Sequence, residues 1–199
     1  MRPNKSVVGH ANQVQLAVRL IELGARMAVL EAETDISHER LCRLHKEITG
    51  KSPSKGQLPY SLDWFIEWSG NIHSSLFVNL HEYLNKVADI DPAEAFIKAY
   101  ELYLEEITTT ELEPVLSITR AHRLTKFIDN GMLSTTACSL CKGQFVTYPH
   151  EIAKHYVCGL CKPPSRAGKR APVKVKVQDV AVDGTALREL RSDNVAVKA

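Results

Sequence analysis

Residues 138–161, "CSLCKGQFVTYPHEIAKHYVCGLC", hold four of the chain's five cysteines as two Cys-x-x-Cys pairs, with sixteen residues between Cys141 and Cys158. One such turn brings two thiolates to one side of a metal, and a second completes a tetrahedron. The spacing therefore predicts a zinc site on Cys138, Cys141, Cys158 and Cys161. A closed shell of four thiolates leaves no position for water, so the expected metal is structural. Lys142, Lys154 and Lys162 can offset the net negative charge of such a centre. Gly143 and Gly159 are expected to let backbone amides approach the sulfurs. His150 and His155 are substitute ligands that a complete thiol shell does not need. A thioredoxin-like redox pair would require a βαβ context, which is absent.

Within this segment "QFVTY" (144–148) and "HYVC" (155–158) read as short strands, too small to bury a core of their own. Metal binding, worth on the order of 10 kcal/mol, would hold them. Past Cys161, "KPPSRAGKRAPVKVK" has six basic residues, three prolines and no acid. It reads as an extended basic arm, and the residues after about Val177 as a weakly ordered tail.

Upstream the pattern is helical. Val14, Leu16, Ala17, Leu20, Ile21, Ala25, Ala28 and Leu30 recur at helical spacing, interrupted at Gly24, which predicts two helices or one bent one between Asn12 and about Glu33. "TDI" (34–36) is a turn, Ser37 an N-cap, and Leu41, Leu44 and Ile48 the stripe of a helix closed by Gly50. The Pro/Gly/Ser-rich loop 51–61 precedes a long helix from Trp64 to about Ala88, with Trp64, Trp68, Ile72, Leu76, Leu80 and Leu84 inward. Asp91, Pro92 and Glu94 spell a capping-box variant for a helix buried through Phe96, Ala99, Tyr100, Tyr103 and Leu104. Pro114 is expected to open a last helix, which Gly131 ends.

The segment "ARMAVLEAETDISHERLCRLHKEITG" has the shape of a helix–turn–helix over 25–50, whose second helix offers Arg43 and Lys46 opposite its apolar stripe and Arg40 at the flank. Glu39 and Glu47 share that outer side, so two readings stand: a DNA-reading helix, or a packing and partner-binding helix. Cys42, near the edge of the stripe, reads as a small core residue.

At 199 residues and 44% hydrophobic content the chain can bury a real core, and its net charge of +2 conceals a polarised distribution. Lys+Arg against Asp+Glu is 9 to 6 over residues 1–60, 2 to 11 over 61–113, 9 to 2 over 114–170 and 5 to 4 beyond. A polyanion would therefore meet 114–170, where Arg120, Arg123 and Lys126 precede the cysteines and Arg166, Lys169 and Arg170 follow them. The absence of a secretory segment or membrane-length apolar run predicts a cytoplasmic protein with reduced thiols, which argues against disulfides. With no Ser/His/Asp order, phosphate-binding glycine loop or dinucleotide fingerprint, neither an enzyme nor a small-molecule substrate is expected.

Seven separated stretches carry a family resemblance: "LGAR" (23–26), "ISHERL" (36–41), "KGQLPYSLDWF" (55–65), "NIHSSLF" (71–77), "IKAYELYLE" (97–105), the four cysteines, and "CKPPSRAGKR" (161–170). From about Gln13 to Arg170 the chain resembles the FlhC family, whose members join FlhD in the bacterial flagellar master activator. The resemblance implies a largely helical subunit of a hetero-oligomer that binds zinc through the four cysteines, contacts double-stranded promoter DNA and recruits RNA polymerase. It assigns no individual base-reading residue. The basic residues named above are an electrostatic inference.

The expected architecture is mainly α: a helical domain over 1–133, with partner-binding helices in 61–130, a four-cysteine zinc element with short strands over 134–165, and the arm and tail over 166–199. The expected function is a DNA-binding activator subunit. The alternative is a zinc-stapled protein-interaction scaffold whose partner supplies the DNA contacts.

Overall fold

In the computed structural model, the structure describes residues 6–54, 56–110, 112–150, 155–165 and 167. The chain is mainly helical, with seven helices and two strands among the described residues: α1 (Val7–Glu22), α2 (Met27–Glu33), α3 (His38–Thr49), α4 (Asp63–Ile66), α5 (Trp68–Val87), α6 (Pro92–Thr109), α7 (Ile118–Asp129), β1 (Ser134–Ala137) and β2 (Gln144–Thr147).

The chain breaks between α1 and α2 at Gly24, as the pattern predicts, although α1 begins at Val7 rather than near Asn12. Helix α3 ends on Gly50 at φ +70, where a residue with a Cβ is strained. Leu41 is fully buried, whereas Ile48 is 36% exposed and barely joins the stripe. Ser37 occupies the N-cap position without a side-chain cap bond.

Three local expectations are corrected. The long helix from Trp64 is two, because Glu67 turns extended (φ −58, ψ 143) and α5 starts afresh. Gly70 makes that kink possible: a Cβ there would lie 2.0 Å from the Trp64 carbonyl oxygen. Before α6, the Asp91 side chain accepts from the Ala93 N–H as expected, but Glu94 reaches to Arg19 of α1 at 2.6 Å instead of back to the cap. An ion pair between elements outcompetes the local box. Pro114 does not open α7; Ser117 caps it and accepts from the Arg120 N–H. The preceding Val115 and Leu116 are drawn onto α6, where Leu116 is fully buried, the Tyr100 hydroxyl donates to its carbonyl at 2.9 Å, and its N–H donates to the Tyr103 hydroxyl at 3.2 Å.

The strands also differ. "HYVC" is not a strand; the partner of β2 is β1, paired antiparallel with Ser134 opposite Thr147 and Ala137 opposite Gln144. Residues 134–137 follow α7 through a tight turn at Gly131 and can form a short hairpin, a pairing of low sequence separation.

One core unites the helices. Leu20, Val29, Leu30, Leu41, Phe65, Phe77, Phe96, Ile97, Tyr103, Ile118, Leu124 and Phe127 are its larger members, and Val146 of β2 belongs to it. Phe77 of α5 meets Phe96 and Tyr100 of α6 edge-on at 5.9 and 6.3 Å. Among the described residues no helix is long and apolar enough to cross a membrane.

Candidate metal centre and cationic face

The cysteine segment forms two similar knuckles. In the first, the Lys142 N–H donates to the Cys138 carbonyl at 2.9 Å; in the second, the Lys162 N–H donates to the Cys158 carbonyl at 3.0 Å. The first cysteine of each pair, Cys138 and Cys158, is fully buried, while Cys141 and Cys161 face solvent. All four sulfurs lie within 4.8 Å of one another. The Cys141–Cys158 and Cys138–Cys161 separations are 3.7 and 4.0 Å. A disulfide would need about 2.05 Å, and all four are free thiols. Zn–S bonds of about 2.3 Å arranged tetrahedrally give sulfur–sulfur edges of about 3.8 Å. The four cysteines are thus positioned to hold one metal ion, and the donor set fits zinc. No histidine joins the group among the described residues.

Backbone N–H groups turn toward the sulfurs, Cys158 N to Cys138 Sγ at 3.3 Å and Cys161 N to Cys158 Sγ at 3.4 Å. Burial opposes ionisation of the Cys138 thiol, yet N–H groups of Cys158, Cys141 and Leu140 bring it down to about 6. Cys161 is pushed up to about 12, first by hydrogen bonding with the Cys158 and Cys141 thiols. Four bare thiols so close cannot all ionise, and a bound metal has to displace their remaining protons.

The glycines act differently from expectation. The left-handed residue of the first knuckle is Lys142 (φ 64), whose ammonium donates to the Ser139 carbonyl at 2.9 Å. Gly143 makes room for the Phe145 ring, 3.2 Å from where its Cβ would be. Gly159 makes room for Trp68: a Cβ would stand 2.7 Å from the indole, whose Nε1–H donates to the Gly159 carbonyl at 2.9 Å. Trp68, read from the sequence as a core residue, is the peg that joins α5 to the second knuckle. Lys154 lies outside the described residues.

Helix α5 also holds β2 by side chains that do the work of a neighbouring strand. Asn71 donates to the Val146 carbonyl at 2.7 Å and the Phe65 carbonyl at 3.0 Å; Ser75 accepts the Val146 N–H at 3.0 Å; Asn79 donates to the Gln144 carbonyl at 3.1 Å. The two small amides and the hydroxyl read as ordinary polar residues in sequence. Their signal was "NIHSS", polar residues on the face of a helix that ought to be apolar.

The basic residues separate into groups. On α3, Arg43 is ion-paired with Glu39 one turn before it, whereas Arg40 and Lys46 are exposed and make no such pair among the described residues. On α7, the Arg120 guanidinium lies 4.1 Å above the Trp64 ring, and Arg123 lies 5.2 Å from the Tyr60 centroid and 5.0 Å from that of Phe127. Neither makes an ion pair among the described residues, and the Arg123 Nε is buried with no partner. Lys126 stands 3.9 Å from Glu33, whose carboxylate is already engaged by His122 at 2.9 Å. Arg166, Lys169 and Arg170 lie outside the described residues. Cys42 is half-buried at a groove rather than in the core, 3.5 Å from the His38 Nε2.

Together these features define a mainly helical protein with a four-cysteine metal knuckle pegged to its longest helix and a cation–aromatic face beside it. Residues 2–174 match the family model described as "Flagellar transcriptional activator (FlhC)". The chain is 59% identical over 165 residues to the flagellar transcriptional regulator FlhC of Verminephrobacter eiseniae, covering 83% of this chain and 89% of that one. It is 47% identical over 181 residues to that of Serratia marcescens, covering 90% and 93%, and 46% identical over 177 residues to that of Proteus mirabilis, covering 88% and 92%. The chain belongs to the FlhC family of flagellar transcriptional regulators, which is not an enzyme class.

Proposed function

We propose that this chain is the DNA-contacting subunit of a cytoplasmic hetero-oligomer with FlhD, which activates flagellar promoters by engaging RNA polymerase. One structural zinc sits on Cys138, Cys141, Cys158 and Cys161, and the basic residues Arg40, Lys46, Arg120, Arg123, Lys126, Arg166, Lys169 and Arg170 meet the DNA backbone, with Arg43 contributing when released from Glu39. The supporting observation is α7: Arg120 is held over the Trp64 ring and Arg123 over Tyr60 and Phe127, and among the described residues neither makes an ion pair with a carboxylate. A guanidinium held over an aromatic ring keeps its full charge and its donors, and phosphate is an acceptor that suits it. The zinc, when bound, supplies cross-linking of the two knuckles, and Trp68 passes that order to α5. Tyr83 and Val87, exposed one turn apart on α5, suit a protein partner.

The scaffold reading draws on the Glu39–Arg43 pair, which neutralises the middle of α3 and favours a protein-facing helix there. A salt titration separates the two. The zinc-loaded chain, alone and with FlhD, is bound to a flagellar promoter fragment and to a scrambled duplex of equal length. The activator reading expects tighter promoter binding with a steep fall in affinity as salt rises, because each neutralised phosphate releases counterions. Equal or absent binding to both duplexes at every salt concentration transfers the DNA contact to the partner.

A further inference from the structure

Arg26, the last residue of "LGAR", is absent from the basic set drawn from the sequence, and the fold puts it between two parts of that set. Its Nη1 donates to the Gln57 carbonyl at 2.8 Å, and its backbone N–H donates to the Thr119 hydroxyl at 3.2 Å, which ties it to the residue before Arg120. On one side Arg26 lines a groove of about 690 Å³ between α2, α3 and the 52–58 loop, together with Arg43 and Lys46. The acids at that groove, Glu31 and Glu39, are engaged by His38 and Arg43. On the other side stands Arg120 over Trp64.

Among the described residues neither Arg26 nor Arg120 makes an ion pair. The two cations repel: burial first, and then the charge of Arg26, pull the Arg120 guanidinium below its ordinary value, an effect that the Glu67 carboxylate opposes only in part. Both are nonetheless held in place, one by a carbonyl and one by an indole. Fixed like charges without an ion-pair partner among the described residues, beside a groove lined by further cations, are a cost to the free protein that an anion relieves. We propose that Arg26 and Arg120, backed by Arg123, form a clamp on the DNA phosphodiester backbone that continues the cationic groove of α3 onto α7. The clamp rests on the DNA-binding reading above, and it grips without reading sequence.

The test uses the full chain with FlhD and a promoter duplex, comparing wild type with R26Q, R120Q and the double variant across a salt series. Each single change is expected to lower affinity about tenfold on promoter and scrambled duplexes alike, and to flatten the log–log salt slope by about 0.9 for every phosphate no longer neutralised. R26K, which keeps the charge, is expected to retain the slope. Metal content and thermal unfolding verify the fold; should R120Q be unstable, R26Q decides, because the side-chain hydrogen bond Arg26 makes among the described residues is to a loop carbonyl. A wild-type slope in R26Q, with wild-type binding intact, overturns the clamp alone. A wild-type complex with no salt-dependent DNA affinity removes the DNA-binding reading and the clamp with it.

Discussion

Cys158 is buried at the junction of both knuckles, accepting an N–H from Cys161 and touching the Cys141 sulfur. Its replacement by alanine is expected to lower bound zinc from one equivalent to near none, and to reduce solubility, measured as metal per chain in the soluble fraction. A soluble variant still carrying one equivalent would refute the ligand assignment. At Gly159 a methyl group would stand 2.7 Å from the Trp68 ring. Gly159→Ala is therefore expected to displace the indole and cost about 1–3 kcal/mol, with a red shift of tryptophan emission at unchanged zinc stoichiometry. Unaltered emission and melting would show that Trp68 is not the peg. The cysteines were legible in sequence because metal ligation fixes spacing along the chain. Trp68 and Arg26 were not, because what each touches lies far along the chain, at Gly159 and at Gln57.

Among the elements, the attachment of β2 to α5 depends on Asn71, which satisfies the carbonyls of both Phe65 and Val146. Asn71→Ala leaves two acceptors short of a partner and is expected to destabilise the protein by about 2–4 kcal/mol, read from the urea midpoint. A change below about 0.5 kcal/mol would mean that Ser75 and Asn79 alone hold the strand. The sequence marked β2 but not its partner, placing a strand at 155–158 and none at 134–137. Alternation and β-propensity report that a segment can be extended; they do not report which neighbour offers hydrogen bonds. Likewise, the Trp64–Leu84 periodicity ran through the α4–α5 kink, because a four-residue step persists on both sides of a break set by Glu67 and Gly70.

For the whole molecule, acid should act at three places in one direction. Burial holds the His73 imidazole below its ordinary 6.5, with its Nδ1 2.9 Å from the Tyr103 hydroxyl. The unfolded chain then binds that proton more readily, so this contribution is present above the unfolded value and is lost as pH falls below it. The His122 hydrogen bond holds the Glu33 carboxyl below its ordinary 4.5 despite burial, so its contribution is complete above that value and lost as pH falls further. Protons also compete with metal for the thiols. Stability with excess zinc is expected to decline from about pH 7 downward, with a second, steeper decline below about pH 5. A flat profile between about pH 7 and 5.5 would contradict the buried neutral imidazole.

Periodicity, caps, ligand spacing and charge are written between near neighbours, which is why the mainly helical class, most helix ends, the four-cysteine centre and the basic character of α7 could be read from the chain alone. The folded molecule was needed to show that Trp68 and Asn71 moor the cysteine segment to α5 and that Arg26 stands within electrostatic reach of Arg120. Each of these depends on which side chains remain within a few ångströms once the core around Phe65, Phe77 and Phe127 has closed. Hydrogen bonds and ion pairs are decided by that proximity, and no local pattern encodes it.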